Sequence, residues 1–407
     1  MIVDMCNNIA YIIGKKLKNP FWLLSGVNML KKVRFRNYRS FIRETVISLE
    51  KSKLSILEGV NTETGLLKGC AFFGSNASGK TNALYSISLL LELLFLNAPV
   101  DLASQITVFN DEPTAFFEYT FSFDGDEVIY YFEIDRSGRV VKESLALNGD
   151  RLLLRLTNSA ESSLTDKRFY DKDDIDEYTL FIRNIYFNTK FMTFPVLRKW
   201  FDSLSKSIFI NLAQNRTVSF GLRAEELNLP TYLDTYGDAE INAFLNSFGF
   251  PYTIRYDKGQ DNSPAKRSFE ARLSFVRKDL PPVLYSMESY GNHILLTLLP
   301  AVISAMRNGS MLLIDEFSSG LHNELEELLI RYIYRNSSCQ LFFVSHSTNL
   351  LKTSLLRPDQ LYSVDFDSSG SFIRKFSEEH PRESQNLEKM YLAGVFGGIP
   401  LYDRSDL

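Results

Sequence analysis

Cysteine is scarce and scattered: Cys6, Cys70 and Cys339 stand alone, with no CxxC pair among them. That spacing excludes a disulfide framework and a zinc ribbon, and leaves thiols in a reducing compartment, hence an expected cytoplasmic location. No apolar run reaches the roughly 18 residues of a bilayer span. The most apolar stretch, 87–96, follows a phosphate-loop pattern closely and reads as a buried helix, so no membrane partner is expected. Neither charge sign dominates: 45 Lys and Arg against 49 Asp and Glu leave a net charge of -4, which excludes a chain-wide polycation. Nucleic acid stays open as a partner only through a local basic patch. There is no internal repeat and no heptad run long enough for a coiled coil. His293, His322 and His380 lack ligand-like spacing, and no Ser-His-Asp or zinc constellation is present.

What remains is ordinary globular composition, 45% hydrophobic and 23% charged over 407 residues, enough for two domains or one large domain with an insertion. Residues 1–28 put an apolar piece (9–13) before Lys15, Lys16 and Lys18, the reverse of a secretory signal, and read as a poorly packed extension with Met29 as a second candidate start. Strands are expected at 32–35 and 46–49, and at 68–73, an apolar run ending in Gly74. Leucines at helical spacing predict a helix over 81–96. Alternation at 116–123 and 128–134 around Asp124-Gly125 predicts a hairpin, followed by a strand at 140–147. The middle, 150–280, is mixed, with an aromatic helix expected near 195–211 and a polar loop at 258–266. From 292 onward, helices at 292–306 and 323–334 alternate with buried strands at 311–314 and 340–344. Such alternation indicates a parallel sheet covered on both faces.

Four motifs carry chemistry. Gly74-Ser75-Asn76-Ala77-Ser78-Gly79-Lys80-Thr81 fits GxxxxGK[ST] at every fixed position, and Asn82 follows it. Its glycines let backbone N–H groups turn toward phosphate oxygens, and a helix N-terminus adds to the anion site. Lys80 is expected on the β- and γ-phosphates of ATP, and the Thr81 hydroxyl on Mg²⁺. Met311-Leu-Leu-Ile-Asp315-Glu316 delivers two acids from a buried strand: Asp315 to hold Mg²⁺ through water, Glu316 to act as general base on the attacking water. A solvated acidic turn is the plain alternative for that segment taken by itself. Leu341-Phe-Phe-Val-Ser345-His346 places a histidine at a second strand end, where it can sense the γ-phosphate; a purely structural histidine is the alternative. Ser289-Tyr290-Gly291 lies ahead of a helix that Ser289 and Gly291 can cap and offer to an anion, or cap and nothing more.

In this order the four pieces resemble the ABC-type ATPases, in the soluble branch with RecF and the structural-maintenance-of-chromosomes proteins. Phe35-Arg-Asn-Tyr-Arg-Ser-Phe41, Asn76–Asn82 and Tyr391-Leu-Ala-Gly394-Val-Phe-Gly397-Gly398-Ile-Pro400 look like the compact bacterial "ATP-binding protein" family, related to the ATPase halves of OLD-type nucleases and to the AriA ATPase of PARIS phage defence. The resemblance covers most of 29–400 and is thinnest across 150–280. It implies a head-to-tail homodimer, or a higher homo-oligomer, sandwiching two ATP molecules. Ser289 and Gly291 of one subunit would meet the γ-phosphate held by Lys80 of the other, with Glu316 as base and His346 as switch. Departures are Glu-Ser-Tyr-Gly in place of Leu-Ser-Gly-Gly, and His322 where transporters carry an acid. The glutamine expected in the loop after the first helix has only Gln105 as a counterpart.

The expectation is therefore an α/β P-loop NTPase of ABC-ATPase type: a mixed sheet with flanking helices, an antiparallel β subdomain and a helical or mixed insertion. Its division would be an extension (1–28), an N-terminal half with the β subdomain (29–150), an insertion (151–281) and a C-terminal half (282–407). The function expected is a slow Mg²⁺-dependent ATP hydrolase whose dimerisation regulates a separately encoded effector in anti-phage defence. A RecF-like repair ATPase on duplex DNA and a nucleotide-gated scaffold with negligible turnover are the alternatives.

Overall fold

The computed structural model describes residues 28–98, 100–221, 224–258 and 268–399. The extension at 1–27, most of the 258–266 loop and Pro400 lie outside them. Contacts divide the chain into a larger unit, Val27–Ala224 with Ala301–Leu407, and a smaller one that includes Glu225–Pro300.

The larger unit begins with strands β1 (Asn28–Arg36) and β2 (Thr45–Ser48), a short hairpin of β3 (Thr62–Glu63) and β4 (Leu66–Leu67), then β5 (Gly69–Gly74) and helix α1 (Lys80–Phe95). Six antiparallel strands follow: β6 (Thr114–Phe123), β7 (Asp126–Asp135), β8 (Val140–Leu147), β9 (Asp150–Leu156), β10 (Ser159–Ser162) and β11 (Phe169–Tyr170). Together with β1 and β2 they form an eight-stranded sheet ordered β11-β10-β9-β8-β7-β6-β1-β2. The β6–β7 hairpin turns where the sequence pattern places it. Asp124 and Gly125 both adopt positive φ, 53° and 91°, as a two-residue hairpin loop requires. Along β6 the alternate residues Ala115, Phe117, Tyr119, Phe121 and Phe123 are buried against the core.

Helices α2 (Phe181–Thr189) and α3 (Pro195–Ser205) precede β12 (Ile208–Asn211) and β13 (Arg216–Ser219). Here the structure corrects the sequence reading. The helix expected through residue 211 ends at Ser205, and the next apolar residues form a strand. The mixed region expected from 151 begins with β9–β11 of the eight-stranded sheet and then supplies β12 and β13 to the other one. A four-residue run of buried Ile-Phe-Ile-Asn has no periodicity with which to announce itself.

The smaller unit holds α4 (Leu229–Tyr236) and α5 (Ala239–Ser247) and a three-stranded antiparallel sheet: β14 (Tyr252–Tyr256), β15 (Leu273–Arg277) and β16 (Val283–Leu284), with the single turn α6 (Phe269–Arg272) before β15. Leu233, Ile241, Leu245, Ile254 and Phe275 are buried there. The division between units falls within α7 (Tyr290–Asn308), at Pro300.

Back in the larger unit come β17 (Met311–Asp315), α8 (Asn323–Asn336), β18 (Gln340–Val344), β19 (Leu361–Asp367), β20 (Gly370–Lys375) and α9 (Leu387–Leu392). The second sheet is ordered β13-β12-β17-β18-β5-β19-β20. Its five inner strands are parallel and its two edge strands antiparallel, so the sheet is mixed. β17 and β18 are buried at every position, which is why they read as unbroken apolar runs. All five parallel strands point their C-terminal ends to one edge, and the loops leaving that edge build the site.

One buried amide ties the two sheets together. Gln340, at the start of β18, accepts from the Leu30 N–H (2.7 Å) and donates to the carbonyls of Leu30 (3.0 Å) and Leu67 (3.2 Å). The β1–β6 register shifts between Leu30 and Lys32, a bulge at the same place. Gln340→Met keeps the volume but strips three buried backbone groups of their partner. It should cost about 3 kcal/mol, read as a lower urea midpoint at unchanged m-value, whereas a midpoint equal to the parent's would remove Gln340 from this role.

Candidate functional site

The phosphate loop spans the end of β5 and the start of α1, and its glycines are held there by contact. A Cβ on Gly79, at φ 106°, would lie 2.3 Å from the Ser371 Oγ and 2.8 Å from the Ser40 Oγ; one on Gly74 would lie 2.4 Å from the Val364 carbonyl oxygen. Ala77 takes φ 61° without being glycine, so the loop's curl holds one residue in a costly conformation. Lys80 is buried, and its ammonium donates to the Ser75 carbonyl across the loop at 2.6 Å. Burial lowers its pKa, and the carboxylates of Glu316 and Asp315 act in the opposite sense. The Ser78 Oγ, just before Gly79, is buried with no hydrogen-bond partner among the described residues.

Beside the loop stands Asp315, the last residue of β17. Its Oδ1 accepts from the Thr81 hydroxyl at 3.1 Å and its Oδ2 from the Asn211 side-chain amide at 3.0 Å. Burial pushes the Asp315 carboxyl above the usual range, while the Thr81 hydrogen bond works against that. Asn211 is a residue of this arrangement that sequence reasoning did not single out. It ends β12 directly opposite Asp315 in the parallel register, and its local trace is a short apolar run ending in one polar side chain, too brief to stand apart from the helix before it.

Glu316 follows in the left-handed region at φ 55°, which turns the chain sharply out of the strand. Its carboxylate lies 3.7 Å from the His346 Nε2, both side chains partly exposed. Burial and the nearby Lys80 hold the His346 pKa below its ordinary value, with Glu316 pulling it up. A histidine held neutral beside a carboxylate keeps a lone pair or an N–H available near neutral pH. The two loops are fastened to each other: the His346 N–H donates to the Ser318 Oγ (3.3 Å) and the Phe317 N–H to the Val344 carbonyl (2.8 Å). A cleft of about 300 Å³ opens beside them, lined among others by Gly74, Ser75, Asn76, His346, Tyr391 and Ile399.

Asn82 has its side chain tied down, donating to the Ser40 Oγ (2.8 Å) and accepting from Arg39 (3.3 Å). Arg39 in turn lies over the Tyr85 ring and donates to Gln105 (3.0 Å). The Gln105 amide group donates to the Asp101 carbonyl, so both ends of that side chain are engaged. Ser289 and Gly291 belong to the smaller unit. Ser289 caps α7, its Oγ accepting from the Asn292 N–H at 3.4 Å, and Gly291 sits in the first turn. Glu288 is paired with Arg277 at 2.5 Å, and Met287 and Tyr290 on either side are exposed.

This donor set fits a nucleotide triphosphate with Mg²⁺. The Lys80 ammonium now rests on a carbonyl oxygen that a phosphate oxygen can replace, and the loop is pared of side chains where a phosphate must approach. Thr81 and Asp315 offer hard oxygen donors to one point, as Mg²⁺ prefers. Among the described residues no group of three His, Cys, Asp or Glu side chains gathers as a metal cage, and no helix is long and apolar enough to cross a membrane.

Comparison with known proteins agrees. The model of the family described as "AAA domain, putative AbiEii toxin, Type IV TA system" matches residues 71–352. No curated protein sequence matches the chain. Among solved structures, an SMC head bound to the C-winged helix domain of ScpA is similar at TM-score 0.50 and 14% identity, over 85% of this chain and 97% of that one. The SMC head domain from Thermotoga maritima gives 0.48 and 17%, over 85% and 98%. An SMC head with an extended coiled coil, bound to the C-terminal domain of ScpA derived from Pyrococcus furiosus, gives 0.43 and 15%, over 90% and 98%. At such identity the first of these speaks to the fold alone: a P-loop NTPase of ABC-ATPase type. Lys80→Ala removes the loop's one cation and should weaken MgATP binding at least about a hundredfold by calorimetry. Affinity within a few-fold of the parent's would end the phosphate-loop assignment.

Proposed function

The chain belongs to this AAA-domain family and is an ATPase of the ABC type, and on that premise we propose that it hydrolyses ATP with Mg²⁺ in a head-to-tail dimer that controls a separate effector. The observation that carries the reading is the Thr81–Asp315–Asn211 hydrogen-bonded row with the Glu316–His346 pair next to it. Mg²⁺, when bound, supplies charge to the departing phosphate oxygens. Lys80 and backbone N–H groups of the phosphate loop would hold the β- and γ-phosphates, while the Thr81 hydroxyl would ligate the metal and Asp315 would hold it through water. Glu316 takes the proton of the attacking water, and His346, held near it, keeps that water in line. The turn at Glu316 matters because it projects the carboxylate forward from a buried strand while Asp315 stays fixed behind.

Ser289 and Gly291 complete the site from the opposite subunit in this reading. Their place at the capped start of α7 sets them at a helix N-terminus, whose dipole favours the γ-phosphate. The exposed Met287 and Tyr290 beside them suit a surface that is covered when two copies close. An effector follows from linkage: closure can bias only something that contacts the two states differently. One SMC head similar to this chain is described as bound to a winged-helix domain, and a second polypeptide is the kind of reader proposed here as well. Kinship with OLD-type ATPases, RecF and AriA, a cytoplasmic setting and a role against phage complete the proposal.

Two measurements test it. Glu316→Gln keeps a hydrogen bond to water but accepts no proton, so it should retain ATP affinity, lose turnover by about a hundredfold or more, and accumulate as an ATP-dependent dimer in light scattering. Unchanged turnover would move the base elsewhere. Separately, Ser289→Arg and Lys80→Ala each leave one half of a shared site intact. Mixed together, the two inactive proteins should regain part of the parent's turnover, up to about a quarter, as one composite site in the mixed dimer is whole. No recovery at any ratio would rule out head-to-tail sharing.

A further inference from the structure

Glu326 is the anomaly of the larger unit. It stands on the inward face of α8, heading the buried stripe Leu329, Ile330 and Ile333, where the helix period calls for an apolar side chain. Its side chain is fully buried, which costs an acid several kcal/mol unless it is paired. Among the described residues no cation pairs with it. The Ser347 hydroxyl donates to its Oε1 at 3.0 Å, and its Oε2 has no hydrogen-bond partner among the described residues. Attraction of acids to a helix N-terminus does not account for it, since the exposed Glu324 in the same turn satisfies that at no burial cost. Burial pushes its carboxyl above the usual range, with the Ser347 bond and His322 opposing.

The partner it holds adjoins His346. Three hydrogen bonds fix the loop after β18 at His346 and Ser347: the His346 N–H on the Ser318 Oγ, the Ser347 N–H on the Ser345 Oγ at 3.0 Å, and the Ser347 hydroxyl on Glu326. The first bond joins two exposed loops and the second is internal to the turn. The third anchors the loop to a helix packed in the core. We propose that Glu326 is a positioning residue for ATP hydrolysis, holding the loop through Ser347 so that His346 stays within reach of Glu316. A neutral or charged carboxyl does this equally well, and so does any side chain of the same length that ends in an acceptor oxygen. A hydrocarbon side chain does not.

The inference rests on the reading of Glu316 and His346 given above, and the experiment separates the two. Turnover and MgATP affinity are measured for Glu326→Ala, Glu326→Gln, Ser347→Ala, His346→Ala and the double variant Glu326→Ala with His346→Ala. Glu326→Ala and Ser347→Ala should each lower kcat about tenfold with nucleotide affinity unchanged, and Glu326→Gln should restore it to within about twofold. The double variant should be no slower than His346→Ala alone, because Glu326 acts only through that histidine. Should Glu326→Ala fail to fold, the half-buried Ser347→Ala carries the test. Additive losses in the double variant, or kcat within about twofold of the parent in both folded single variants, overturn the proposal. If His346→Ala and Glu316→Gln themselves turn over normally, the catalytic reading falls with it; if they are slow and Glu326→Ala is not, only the positioning role is lost.

Discussion

Asp315 is the point on which the site depends, because its two oxygens are spoken for by different parts of the chain. Thr81 arrives from the phosphate loop, Asn211 from a strand more than a hundred residues later, and Asp315 from β17, the strand between β12 and β18. Two donors on one buried carboxylate fix its plane as well as its position, which a single hydrogen bond cannot do. Asn211 and Asp315 can face each other only if β12 and β17 pair in parallel with that one register; a slip by one residue would turn both away. The order of the sheet is thus a condition of the chemistry. Everything that keeps the five parallel strands aligned, from the buried runs of β17 and β18 to the Gln340 bridge, acts on the distance between Thr81 and Asp315.

Three more buried polar groups do comparable work away from the site. Arg357 and Asp359, both fully buried, form a two-pronged pair at 2.8 Å, and the Asp359 carboxylate also accepts from Ser52. Glu143, buried in β8, accepts from the Tyr130 hydroxyl and from the first two N–H groups of α2, so an acid caps a helix from inside a sheet. Each joins segments far apart in sequence, and each is costly to leave half-made. Groups of this kind contribute less to net stability than to the choice of one arrangement over its near neighbours.

The legible part of the protein was the part whose chemistry demands a local pattern. Phosphate binding needs glycines at fixed offsets from a lysine, so residues 74–82 declare themselves; so do Asp315 and Glu316, because a buried strand must be apolar up to the acid it presents. The Asp124-Gly125 hairpin was equally local. Asn211 was not, because its strand is four residues long and lies straight after a helix of similar apolar content, and nothing in the run says which partner it pairs with. Glu326 was invisible for a related reason. A glutamate in the first turn of a helix is unremarkable in sequence, and only burial shows that it faces inward. The joining of β1 to β6, which brings Asn28–Arg36 into the antiparallel sheet, likewise rests on contacts of long sequence separation that no window of residues contains.

The left-handed turn at Glu316 has a consequence for how this protein can change over time. A residue with a Cβ at φ 55° is strained, by an amount of order 1 kcal/mol or more, and glycine or asparagine would relieve it. Stability and acidity therefore pull this position in opposite directions. A selection that rewarded heat resistance alone would enrich substitutions at 316 and discard the carboxylate.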